Sequence, residues 1–235
     1  VETHDWYEPR VVGRYFVRPT YVMFSMGGSS DYRKKLALDA GVQMFRNGRG
    51  NTTFQVTFAP RVRLNNKFSF FPSVKYVNDL GDQGYVTSFD DGRLVFGQRN
   101  IKTVTNSMSG SYVFNNKSAL SLSLRHYWSQ VNYLGYYLLD SVGGLQDFNE
   151  YADNQDLDFN IFNIDLEYSL NFAPGSYLTV VWKNAISKSE SIDTRPFLSY
   201  WDNLQGTLIS PQTNSFSVKV IYYLDYKRIL PGQNR

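Results

Sequence analysis

His126 lies within Arg125-His126-Tyr127-Trp128 and is one of only two histidines in the 235 residues, the other being His4. A histidine working as general base for a serine at a lipid boundary is the chemistry of a barrel lipase. The competing role is an interfacial aromatic cluster of His126 with Trp128 and Tyr133, and that is the role expected here. No catalytic residue is therefore assigned, and the chain is not expected to be an enzyme. Residues 140–158 gather Asp147, Glu150, Asp153, Asp156 and Asp158, carboxylates dense enough to attract calcium. They lack the spacing and the glycine of an EF-hand loop, so a solvated loop without metal or cofactor is expected. With no cysteine present, disulfide frameworks, thiolate metal sites and thiol nucleophiles are excluded.

A second set of chemistry-bearing residues recurs on alternate positions of apolar stretches: Asp39, Arg61, Arg63, Lys75, Arg125, Asp165, Glu167, Lys183, Lys219 and Asp225. Charges of mixed sign facing one way have to pair or stay wet. They fit a hydrated lumen with some solute preference, or a lumen packed by ion pairs or a plug. The aromatics Trp6, Tyr7, Tyr200 and Trp201 fall in polar stretches, where they could stack on sugar rings or cover a neighbouring subunit. Arg33, Lys34 and Lys35 fall in a short turn, expected to be a plain polar turn, with contact to lipid headgroups as the alternative.

The elements that position these groups are strands. In residues 54–64, Phe54, Val56, Phe58, Pro60, Val62 and Leu64 alternate with Gln55, Thr57, Arg61 and Arg63, giving one apolar and one wet face. About nine such strands follow one another. They cover approximately residues 20–28, 35–45, 54–64, 68–77, 93–114, 118–136, 158–172, 177–187 and 214–226. Their apolar rows include Leu36, Leu38, Ala40, Val42 and Met44; then Leu120, Leu122 and Leu124. Phe162, Ile164, Leu166, Tyr168, Leu170 and Phe172 form another, as do Phe216, Val218, Val220, Tyr222, Leu224 and Tyr226. The strand near residue 98, with Gln98-Arg99-Asn100, is too polar for lipid and is expected to continue beyond a membrane.

Apolar stripes about ten residues long, repeated without any long apolar run, are the pattern of an outer-membrane β-barrel with lipid outside and polar packing inside. The mean hydropathy of −0.38 agrees, because every second residue faces the lumen. The aromatic content of 17% suits interfacial girdles. The formal charge of +3 is spread along the chain and does not point to nucleic acid. A soluble, lipocalin-like barrel, with its apolar faces turned inward, is the alternative fold.

Asn65-Asn66-Lys67, Asn115-Asn116-Lys117 and Ala173-Pro174-Gly175-Ser176 read as tight turns. They alternate with long polar stretches near residues 78–92, 137–157 and 188–213, as short periplasmic turns alternate with long outer loops. The expected division is an outer loop or partial strand over residues 1–19, a barrel segment over 20–226 and a periplasmic tail over 227–235. An odd strand count does not close an antiparallel barrel. Together with the absence of a signal peptide, it leads to the expectation that further N-terminal strands exist or are supplied by another chain.

Seven stretches carry a family resemblance: Tyr7-Glu8-Pro9-Arg10, Arg14-Tyr15-Phe16-Val17-Arg18-Pro19, Ser30-Asp31-Tyr32-Arg33-Lys34-Lys35, Phe96-Gly97-Gln98-Arg99, Thr103-Val104-Thr105-Asn106, Arg125-His126-Tyr127-Trp128-Ser129-Gln130-Val131 and Ser210-Pro211-Gln212-Thr213-Asn214-Ser215-Phe216-Ser217. The chain resembles the C-terminal barrel of a Bacteroidota outer-membrane family of unknown function. Its full-length members carry an N-terminal domain similar to family-9 carbohydrate-binding modules. The resemblance implies an all-β transmembrane barrel and a link to glycans that cannot be placed on these residues. It supplies no catalytic residues.

The expected function is an outer-membrane channel or uptake barrel, with lipid and lipopolysaccharide as surroundings and other outer-membrane proteins as partners. The alternative is a non-transporting subunit of a secretion or assembly complex.

Overall fold

The computed structural model describes residues 2–192 and 197–224. Alternation of side chains builds nearly everything in it. The strands are β1 (Thr3–Asp5), β2 (Phe16–Arg18), β3 (Tyr21–Ser29), β4 (Leu36–Asn47), β5 (Thr52–Arg63), β6 (Phe68–Ser88), β7 (Leu94–Asn115), β8 (Ser118–Leu139), β9 (Leu145–Asp147), β10 (Leu157–Ala173), β11 (Ser176–Ser191) and β12 (Gln212–Ile221). One helix, α1 (Tyr200–Leu208), precedes β12.

β1 and β2 form a small antiparallel pair, and the other strands form one antiparallel sheet in the order β12-β11-β10-β8-β7-β6-β5-β4-β3, with β9 added against β8. This is an all-β chain, and its sheet is open. Every residue of β3 and of β12 is exposed along its length.

Register fixes which side chains share a face. One rung crosses all nine strands of the meander: Gly28, Ala40, Phe58, Val74, Asn106, His126, Phe162, Ile186 and Gln212. On that face, from this rung to the short turns, the chain carries no Asp, Glu, Lys or Arg. The next rung along each strand belongs to the opposite, polar face.

The short turns are made by local chemistry. Asn65 Oδ1 accepts from the amides of Lys67 and Phe68 at 2.8 and 2.9 Å. Asn115 repeats the device on Lys117 and Ser118 at 2.8 and 3.1 Å. Such Asx turns fix a reversal without help from the rest of the fold. Gly175 turns the third hairpin at φ +71°, and a Cβ there would come within 2.9 Å of Tyr223.

At the opposite end the strands run further than alternation suggests. β6 continues to Ser88 because bulges between Asp79 and Asp82 and between Tyr85 and Thr87 absorb the breaks in its pattern. β8 likewise passes a bulge opposite Arg99. Residues 78–88 are therefore strand, where a polar loop was expected. On these extensions Phe16, Leu94, Phe96 and Leu139 form a buried apolar cluster flanked by Tyr85, Tyr137 and Leu145. Residues 1–19, expected as loop or partial strand, contribute β1, β2 and Phe16 to it.

Candidate functional site

The polar face gathers the charges that the sequence picks out. Asp39, Arg61, Arg63, Lys75, Arg125, Asp165, Glu167, Lys183 and Lys219 all project from it, in register with Ser, Thr and Asn neighbours. Arg61 Nε donates to Asp39 Oδ2 at 2.8 Å, and Tyr32 donates its hydroxyl to the other Asp39 oxygen. Lys183 stands directly opposite Asp165, with 3.9 Å between the charged atoms. Arg63, Lys75, Arg125, Glu167 and Lys219 make no ion pair among the described residues. A shallow hollow lies on this face, lined by Phe71, Ser109, Ser121, Ser123, Asp165 and Glu167. Small serines between charged rows leave room for water, which is what keeps unpaired charges affordable. Asp225 and Tyr226 lie outside the described residues, as does the tail 227–235.

The apolar face presents Phe54, Val56, Phe58, Leu120, Leu122, Leu124, Phe162, Ile164, Leu166, Leu170, Phe216, Val218 and Val220 together. Phe58 and Phe216 are 49% and 70% exposed, so no described residue covers this face at those positions.

Toward the other end, the same face is covered. α1 lies there, and beneath it His126, Trp128, Asp158 and Asn160 are buried. Trp128 Nε1 donates to Asp158 Oδ1 at 2.9 Å, and Asn203 of α1 donates to Asp158 Oδ2 at 2.7 Å. His126 Nδ1 lies 3.3 Å from both the Asn106 amide nitrogen and the Tyr200 hydroxyl, while its Nε2 has no hydrogen-bond partner among the described residues. No serine hydroxyl bonds it among the described residues. The expected interfacial aromatic cluster of His126 with Trp128 and Tyr133 is corrected in its membership. Trp128 is a neighbour, but Tyr133 stacks on Tyr136, 5.6 Å between centroids, and receives Arg99. Tyr200 takes its place, 5.8 Å from His126 and 5.5 Å from Trp128.

Sequence reasoning missed α1, although Ser199-Tyr200-Trp201-Asp202 carries its signal. Ser199 Oγ caps the helix by accepting from the Asp202 amide at 3.3 Å. Of the four aromatics that could stack on sugar, Trp6, Tyr7 and Trp201 are exposed, and Tyr200, the first residue of α1, accepts a hydrogen bond from Asn106.

The acidic stretch disperses its carboxylates. Asp140 Oδ1 accepts from the amides of Val142 and Gly144 at 2.9 and 2.7 Å, closing a turn. Asp156 accepts from Asn132 and the Tyr133 amide at 3.0 and 2.6 Å. Among the described residues no three His, Asp or Glu side chains gather to hold a metal. No described helix is long and apolar enough to cross a membrane, which says nothing about strands.

No curated protein and no solved structure matches the chain. Residues 1–231 match one family, described as "Domain of unknown function (DUF5916)". That match spans nearly the whole sequence, including the two-faced sheet and the capped cluster, and the chain therefore belongs to the DUF5916 family.

Proposed function

We propose that the chain is a nine-strand portion of the wall of an integral bacterial outer-membrane β-barrel, with the apolar face against lipid and the charged face lining a channel or uptake lumen. One observation carries this reading: the apolar face keeps all charges off itself from the Phe58–His126–Phe162 rung to the short turns, while nine charged side chains share the other face. A water-soluble sheet would not leave Phe24, Phe58, Phe216 and Val220 exposed together on one side. In a bilayer the same side chains meet hydrocarbon, and the lipopolysaccharide leaflet lies at the long-loop end.

Strand length agrees with this placement. At about 3.3 Å per residue, the 22 residues of β7 reach roughly 70 Å, whereas an outer-membrane apolar band is about 25 Å tall. The surplus is the extension bearing Phe16, Phe96 and α1, which stands outside the membrane.

Closure needs further strands. β3 and β12 both run from the long-loop end to the short-turn end, so joining them directly would give a parallel pair. An odd number of additional strands completes an antiparallel wall. These open edges also favour the second reading, a structural subunit of a larger outer-membrane assembly whose partner supplies the strands. Handling of glycans, implied by the family resemblance, belongs with the first reading.

The test is reconstitution of the full-length protein into planar bilayers. Stepwise conductance is expected of a channel. Its absence, together with recovery in a stoichiometric complex after gentle detergent extraction, would replace the channel with the assembly subunit.

A further inference from the structure

At the long-loop end, β3, β4, β5 and β6 bring a cavity of about 330 Å³ onto the polar face. Register places Phe45 opposite Thr53 and Thr53 opposite Asp79, so one wall is a single rung of three strands. Tyr21 stands at the rim with its ring 5.0 Å from that of Phe45. Asn51, Asp82, Gln83, Thr20 and Arg18 complete the walls, and buried Phe16 forms part of the lining.

The polar groups are held, and several keep a free valence. Asp79 Oδ1 accepts from Asn51 Nδ2 at 2.7 Å and from Thr53 Oγ1 at 3.1 Å, which fixes the carboxylate plane. Its Oδ2 receives no donor among the described residues. Asp82 Oδ2 is taken by Arg99 Nε at 2.8 Å, leaving Oδ1. Arg18 is spent on Asp5 and Glu8 through Nε and Nη2.

Charge decides what kind of ligand fits. A cation finds no free aromatic face on Phe16, whose ring already has the guanidinium carbons of Arg18 and Arg49 each 5.5 Å from its centroid, and of the two lining carboxylates Asp82 is already paired with Arg99. An anion is disfavoured by the Asp79 and Asp82 carboxylates in the lining. What remains is a neutral molecule that donates several hydrogen bonds to fixed carboxylate and amide oxygens and lays C–H groups on an aromatic face.

We infer that this cavity is a binding site for a neutral saccharide, one pyranose ring resting on Tyr21 and Phe45 with vicinal hydroxyls donating to Asp79 and Asp82. The size is at the low end for small-ligand sites, room for one ring with the rest of a chain outside. As a site at the mouth of a lumen it rests on the barrel reading; as a binding site it does not.

The full-length protein in detergent is applied to an array of neutral, anionic and cationic oligosaccharides. Retention of a neutral glycan with Kd below about 1 mM is expected. It should weaken at least tenfold in Tyr21→Ala and in Asp79→Asn and persist in Tyr21→Phe. Retention of no neutral glycan, retention unchanged by both weakening variants, or preference for charged glycans overturns the site. Should Asp79→Asn fail to fold, Tyr21→Ala decides alone, since Tyr21 is 58% exposed and its truncation leaves no buried void. Flotation of the same preparation with lipid vesicles reports separately on the barrel. Binding without flotation refutes the barrel only, and flotation without binding refutes the site only.

Discussion

Leu122 of β8 stands directly opposite Leu166 of β10, and one residue along, Ser123 stands opposite Asp165. A single step of the chain thus exchanges hydrocarbon for charge.

That exchange gives the sharpest test of the wall. Leu122→Arg or Leu166→Arg should cost about 2–4 kcal/mol of folding into bilayers if the pair sits near the midplane, whereas Ser123→Arg should be nearly neutral. Urea titration of folding into lipid vesicles measures all three. Equal costs for Leu122→Arg and Ser123→Arg would remove the membrane from the account.

In the proposed channel, ion selectivity would be set by the opposite face. Of the nine charges picked out on this face, Arg63, Lys75, Arg125 and Lys219 are cations without an ion pair among the described residues, and Glu167 is the one such acid. Lys75→Glu with Arg125→Glu should move the reversal potential of the reconstituted channel toward cation preference. Val180→Thr, on the apolar face, should leave it in place. A reversal potential indifferent to the double reversal would mean that ions do not pass this face.

Docking of α1 depends on Asp158. Its two oxygens take Trp128 Nε1 and Asn203 Nδ2 in a buried setting, so Asp158→Ala leaves both donors unmatched, at about 1–3 kcal/mol each. The expected outcome is release of α1, read as faster proteolysis within residues 197–211, with the hairpins below unaffected. Unchanged cleavage would show that the helix is held by its apolar contacts instead.

The N-terminal pair should respond to acid. Burial by itself would raise the Asp5 carboxyl, but hydrogen bonds from Arg18 and from the amides of Glu8 and Tyr7 outweigh it and hold the group below its usual range. A depressed acid stabilises the fold above its unfolded pKa and loses that contribution as pH falls through the folded value. Trp6 fluorescence should therefore stay constant at neutral pH and change only below about pH 4. Asp5→Asn should abolish the transition, and a transition retained in that variant would assign it to another group.

Part of this molecule is legible in its sequence because it is local. Alternation in 54–64 or 158–172 specifies a face without knowing the neighbour, and Asn65 and Asn115 build their turns from amides two and three residues away. The nine strands, the two faces and the three named hairpin turns follow from that alone. Tertiary structure decided the remainder. Bulges carry β6 and β8 through stretches whose polar pattern reads as loop, since pairing with β7 satisfies the backbone there. The capping signal at Ser199 is local, but burial of His126 and Asp158 under α1 needs contacts across 40 or more residues, as between Asp158 and Asn203. The Tyr21, Phe45 and Asp79 cavity likewise exists only once three hairpins set distant residues on neighbouring rungs. Periodicity fixes the direction of a side chain, and register alone fixes its company.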